Sequence, residues 1–253
     1  MWLGRWPRAR RWLSRTRLSG GRILDVGCAI GFGTSELARA RGAYRAFGVE
    51  PHWTYVKQAR ASYPDLAFIR GSAADLPIAG ASINAVALLD VLEHLARPEA
   101  AIAEARRVLR PGGALVISVP NQGWLEAFDS LNVYGALRRF WPSLAPLDPS
   151  ETSGWGAHRH FSVTQVRALL GDEFKIERIA ITGVGLSEPL HLAILLFSRV
   201  LLRSERAYSA LRYIYYTAYL LEDALPLPVG GYHLTVLARA RASATAGPLR
   251  AQV

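Results

Sequence analysis

Asp25, glycines at positions 27, 31 and 33, and Glu50 are the residues whose types and spacing first suggest chemistry. The first four lie in R-I-L-D-V-G-C-A-I-G-F-G-T, Arg22 to Thr34, where the apolar residues Ile23, Leu24 and Val26 lead straight into the glycines. A helix is expected from Thr34 onward. A strand, a tight glycine turn and a helix N-terminus together let a nucleotide-like ligand approach bare backbone. Glu50 ends the next expected strand, F-G-V-E, 17 positions after Gly33. A carboxylate at about that distance can accept hydrogen bonds from ribose hydroxyls.

The pattern resembles motif I of the class I S-adenosylmethionine-dependent methyltransferases, L-D-V-G-C-G-x-G. G-S-A-A-D-L-P-I at Gly71 to Ile78 resembles the family's adenine segment. N-A-V-A-L-L-D-V-L-E-H-L at Asn84 to Leu95 resembles its fourth strand, and R-V-L-R-P-G-G-A-L-V-I-S-V-P at Arg107 to Pro120 its following helix, turn and fifth strand. The resemblance implies S-adenosyl-L-methionine as cofactor, held by Asp25, Gly27, Ala29, Gly31, Glu50, Ser72, Ala73, Leu89 and Asp90. Gly27 and Gly31 are expected to clear space for the cofactor, because neither carries a Cβ.

Two positions depart from the family pattern. Ala29 replaces the middle glycine, harmless at negative φ but costing on the order of 1 kcal/mol at positive φ. Ser72 replaces the usual adenine-contacting Asp. Asp90, Glu93 and His94 share one side of a helical turn and form a carboxylate–imidazole set that suits a divalent ion. The same letters line the cofactor pocket in relatives without metal, and a metal-free site is the expectation. H-R-H-F-S at His158 to Ser162 opens a helix with a capping box, Ser162 and Gln165. His158 and His160 are the candidate general bases, since imidazole titrates near neutrality.

These residues need a scaffold of alternating strands and helices. Strands are expected at Ile23–Val26, Ala46–Glu50, Ala67–Arg70, Ala85–Leu89, Ala114–Val119, Phe174–Thr182 and Tyr232–Ala240. Helices are expected at Thr34–Arg41, Trp53–Tyr63 and Pro98–Arg110. The fold class is α/β, a Rossmann-like seven-stranded mostly parallel sheet with helices on both faces. We divide the chain into a basic Trp/Arg-rich segment (1–21), a methyltransferase domain (22–240) and a tail (241–253). Within the domain, 121–160 is an aromatic active-site segment. The apolar insert 183–231 separates the last two strands and carries helices around Leu190–Leu202 and Tyr208–Leu221. Leu192, Leu195, Leu196 and Phe197 form a stripe expected to cover the acceptor side of the pocket.

At 253 residues and 51% hydrophobic, the chain can bury a full core. Its single cysteine, Cys28, fits small-residue packing and a reducing cytoplasm. Of its 30 basic residues only Lys57 and Lys175 are lysines. The start of the chain mixes arginine with Trp2, Trp6 and Trp12. It reads as a helix covering the domain, with a membrane surface or single-stranded bases as open alternatives. The expected acceptor is small and hydrophobic or lipid-like, with membrane contact through the basic N-terminus or the insert at the inner face. Nucleic acid is disfavoured, for lack of an appended RNA-binding module. A catalytically silent cofactor-binding protein and an RNA methyltransferase stay open as alternatives.

Overall fold

The computed structural model describes residues 5–16, 21–40, 45–123, 126, 129–141, 159–223 and 231–241. Seven strands form one sheet: β1 (Arg22–Val26), β2 (Arg45–Glu50), β3 (Ala67–Arg70), β4 (Ile83–Leu89), β5 (Leu109–Pro120), β6 (Phe174–Thr182) and β7 (His233–Ala240). Their order is β3-β2-β1-β4-β5-β7-β6, parallel except for β7, which runs antiparallel to both β5 and β6. The order reverses between β1 and β4. That switch point opens a crevice at the carboxyl ends of the strands, where ligands of open α/β sheets bind.

Strand side chains alternate between two cores, as a pleat of period two requires. Leu24, Val26, Val86, Leu88, Leu115 and Ile117 pack on the face covered by α4 (Pro98–Val108) and α6 (Val163–Leu170). Ile23, Ala46, Ala85, Ala87, Ala114 and Val116 face α1 (Arg5–Ser14) and α2 (Phe32–Ala38). Four of those six are alanines, which lets α1 approach the sheet closely and bury Ala9, Trp12 and Leu13. A third cluster places α3 (Trp53–Ser62) over Phe68.

The basic start of the chain is therefore part of the domain. Trp12 is buried against the sheet, and Trp6 meets Phe32 edge-on at 5.4 Å. Arg8 donates to Thr235 Oγ1 at 3.0 Å, and Arg10 pairs with Glu36 at 3.1 Å. Trp2 lies outside the described residues.

Some boundaries differ from expectation. β5 begins at Leu109 rather than Ala114, because Pro111-Gly112-Gly113 runs on in the strand while α4 stops at Val108. Residues 121–160, expected only to line the pocket, include α5 (Ser130–Phe140), whose first turn is capped by Asp129 accepting from Asn132 N–H at 2.9 Å. The expected capping box of α6 forms, Ser162 with Gln165.

The insert between β6 and β7 is a helical hairpin: α7 (Ser187–Leu195), a π-helical stretch Leu196–Leu201, and α8 (Glu205–Asp223). Glu222 closes its base by accepting from the Ser187 N–H (2.8 Å) and hydroxyl (2.9 Å). The expected stripe is split. Leu195 is fully buried with Ile194, Tyr134 and Tyr208, Leu192 and Leu196 are half-buried, and Phe197 is exposed. Helical rotation sends adjacent residues to different faces, so these four do not form one surface.

Candidate active site

Asp25 lies one residue before the end of β1, inside the protein, and its Oδ2 accepts from the Thr34 hydroxyl at 2.7 Å. That bond fixes the glycine turn against the start of α2. Burial raises the Asp25 carboxyl to about 7; the Thr34 bond opposes the rise and the Glu50 charge adds to it. Glu50, buried at the end of β2, accepts from Ala29 N–H and His52 N–H, each at 3.0 Å. Each oxygen keeps a lone pair for a ligand hydroxyl.

The glycine turn is built for its backbone. Gly27 and Gly31 adopt φ of 72° and 87°, and Ala29 adopts φ 44° in the left-handed region. The substitution at Ala29 is thus the costly case. A Cβ on Gly31 would stand 2.7 Å from Phe68 and 3.0 Å from Tyr63, and one on Gly27 would stand 2.6 Å from Val91. At both glycines a side chain would also collide with protein, so the turn needs glycine for its own packing. Cys28 packs beside them, where a Cβ on Gly48 would come within 2.4 Å of its sulfur. Burial, with the Asp25 and Glu50 charges, pushes its thiol pKa far up, which suits packing over reactivity.

Ser72 and Ala73 follow β3 at the same edge. Ala73 is buried, while the exposed Ser72 hydroxyl accepts from Ala74 N–H at 3.2 Å and so shapes its own turn. Leu89 is buried at the end of β4, and Asp90 follows it at φ 55°. Asp90 pairs with Arg5 of α1, and Arg5 also donates to the Tyr219 hydroxyl of α8 while stacking over Trp6 and Tyr219. One guanidinium thus joins the N-terminal helix, the switch point and the insert. Sequence reasoning missed this role; its only signal was an arginine beside a tryptophan.

Glu93 is fully buried in the 3₁₀ turn Leu92–His94 beneath Asp90. Among the described residues, no three His, Cys, Asp or Glu side chains are grouped so as to hold a metal ion.

The rim beyond β5 carries a second polar group of residues. Pro120 pairs with His233, so the start of β7 and the exit of the insert stand at the carboxyl end of β5. Asn121 secures that corner, its backbone N–H donating to Tyr232 O and its side-chain amide to Gly231 O, both at 2.7 Å. Tyr232 donates to Asp129 Oδ2 at 2.9 Å, and His160 Nε2 lies 3.4 Å from the same oxygen. His160 has no side-chain exposure; His158 lies outside the described residues. Beside it, Arg159 donates to the Leu95 carbonyl. Where α5 meets the insert, the Ser130 hydroxyl donates to Glu188 at 2.7 Å and meets His191 Nδ1 at 2.8 Å. In the neutral ring Nδ1 therefore carries the proton, and Nε2 accepts from Tyr208 at 3.1 Å. Tyr215 stacks on His191 at 4.1 Å.

Comparison with known proteins agrees with this geometry. Residues 24–117 match the methyltransferase domain family. A probable S-adenosylmethionine-dependent methyltransferase of Mycolicibacterium smegmatis is 36% identical over 106 residues, 42% of this chain and 40% of that protein. The phthiotriol/phenolphthiotriol dimycocerosates methyltransferase of Mycobacterium leprae is 36% identical over 107 residues, again 42% and 40% of the two chains. The chain thus spans about two fifths of the length of these curated relatives. The crystal structure of a putative methyltransferase from Bacillus halodurans superposes with a TM-score of 0.58 at 16% identity, covering 93% of this chain and 98% of that one. The match to the methyltransferase domain family is confined to residues 24–117, and the solved structure shares the fold of the whole chain.

Proposed function

We propose that this chain transfers a methyl group from S-adenosylmethionine to a small, predominantly apolar or lipid-like acceptor. The observation that carries the reading is the pair of buried carboxylates, Asp25 and Glu50, near the carboxyl ends of adjacent strands β1 and β2 beside the switch point. The residues present suit the cofactor. Glu50 retains acceptor capacity for two ribose hydroxyls, and Asp25 can receive an ammonium directly or through water.

When bound, the cofactor supplies an electrophilic methyl group on a sulfonium. Transfer is an in-line displacement, so the protein's task is to position the acceptor and exclude water. Arg5, Asp90 and Tyr219 define the wall between the switch point and the insert. His160 lies closed off behind Tyr232 and Asp129, and we assign it to positioning that rim rather than to direct proton removal. An acidic hydroxyl needs no stronger base; an aliphatic hydroxyl would, and His158 remains the candidate.

The apolar acceptor class is supported by the aromatic character of α8 and by its closure over the rim through Tyr219 and His233, whose rings meet at 4.6 Å. The named substrate of the M. leprae relative is also lipid-like. Calorimetric titration with S-adenosylmethionine and S-adenosylhomocysteine tests the cofactor half. Saturable binding that Glu50→Ala weakens supports it; no heat at high cofactor concentration refutes it.

A further inference from the structure

We propose that the tip of the insert hairpin docks the protein on anionic membrane surfaces. Within a few residues of the turn, Phe197 (48%), Val200 (37%), Leu201 (72%) and Leu202 (48%) are all exposed. The interior of the hairpin cannot take them, because Ile194, Leu195 and Tyr208 already fill it against Tyr134 of α5. A contiguous apolar tip of this kind marks an interaction site, and its surroundings identify the occupant.

The charge at the tip is one-sided. Between residues 196 and 212 the sequence has Arg199, Arg203, Arg206 and Arg212 and a single acid, Glu205. Arg199 is buried, lies 4.0 Å over the Tyr208 ring and pairs with Glu205 at 2.9 Å. That pairing takes up the tip's only carboxylate. Arg203 and Arg206 are left exposed beside the apolar residues. Apolar side chains ringed by arginine match an interfacial element that inserts among acyl chains while its cations meet lipid phosphates.

A second copy of the chain fits less well, since a two-fold contact through this tip would bring Arg203 and Arg206 of both copies together. Three of the four arginines of α1, Arg5, Arg8 and Arg10, are turned toward Asp90, Thr235 and Glu36, and only Arg11 is exposed, which leaves the hairpin tip as the better surface. No helix among the described residues is long and apolar enough to cross a membrane, so the contact is peripheral.

The test uses the full chain and sedimentation with vesicles of either phosphatidylcholine alone or phosphatidylcholine with about one third phosphatidylglycerol. Binding is expected only to the anionic vesicles and should weaken as salt screens the charges. Leu201→Ser with Leu202→Ser, and separately Arg203→Glu with Arg206→Glu, should each lower the bound fraction about tenfold or more. All four positions are exposed, so melting temperature and cofactor affinity should stay at the parent values. Absence of binding by the parent, or parental binding by both double variants, overturns the proposal. So does a dimer in light scattering that the Leu201→Ser, Leu202→Ser variant dissociates. Membrane docking is read without cofactor or acceptor, so its failure leaves the methyltransferase reading standing, and the converse holds.

Discussion

The backbone N–H of Ala29 donates to Oε2 of Glu50 across 3.0 Å, tying the turn after β1 to the end of β2. In the same turn Ala29 holds φ at 44°. For a residue with a Cβ that conformation costs roughly 1–2 kcal/mol. Ala29→Gly should therefore raise stability by about 1 kcal/mol, less the extra entropy of the glycine unfolded chain. Urea titration measures it; a lower midpoint at unchanged slope would contradict the strain.

Glu50→Ala removes the acceptor for two backbone N–H groups and, on the proposed reading, for the ribose. Leaving such donors unsatisfied costs about 1–3 kcal/mol. Both the melting temperature and cofactor affinity should drop, the affinity by about tenfold or more. Affinity equal to the parent in calorimetry would remove Glu50 from the site.

On the proposed reading, Asp25 makes cofactor binding depend on pH. In the cofactor-free protein its carboxyl titrates at about 7, against an ordinary value of 3.8. Between those limits the native state holds a proton that the unfolded chain has released. This group's effect on stability therefore grows more unfavourable as pH rises through the window and is complete above it. A cofactor ammonium favours the ionised carboxylate, so binding should expel the proton. Cofactor affinity should tighten from about pH 5 to about pH 7 and then level off. Asp25→Asn should flatten that rise; an unchanged pH profile in the variant would show that another group controls it.

Gly31→Ala separates a packing role of the glycine from a cofactor-clearing one. Its Cβ would press on Phe68 and Tyr63 at a φ that already disfavours it. The loss should show in stability, by at least about 1 kcal/mol. A variant as stable as the parent that binds cofactor poorly would favour the steric-clearance reading.

Arg5→Ala should detach α1 and α8 from Asp90 and lower kcat/KM, with Arg5→Lys restoring little because a single ammonium cannot serve the carboxylate, hydroxyl and aromatic faces together. Equal turnover in the alanine variant would show that the wall of the site does not depend on this contact.

The seven strands and their alternation with helices were legible because local chemistry marks them, through apolar runs bounded by glycine turns. Ala29 shows where such reading stops, since its letter does not reveal the sign of φ. Gly31 shows the same limit, because what its absent Cβ makes room for depends on Phe68, far along the chain. Arg5 and Tyr219 lie 214 positions apart, and no periodicity announces their meeting. The stripe at Leu192 to Phe197 was apolar on nearly every side, so composition could not separate Leu195, which is core, from Phe197, which is surface.

Methyl transfer itself is tested most directly with isotopically methyl-labelled S-adenosylmethionine, the purified chain and a cellular lipid extract, followed by mass spectrometry. The account expects a labelled product in the apolar fraction, lost with Glu50→Ala. Saturable cofactor binding with no labelled product in any fraction would contradict it and leave a cofactor-binding protein without turnover.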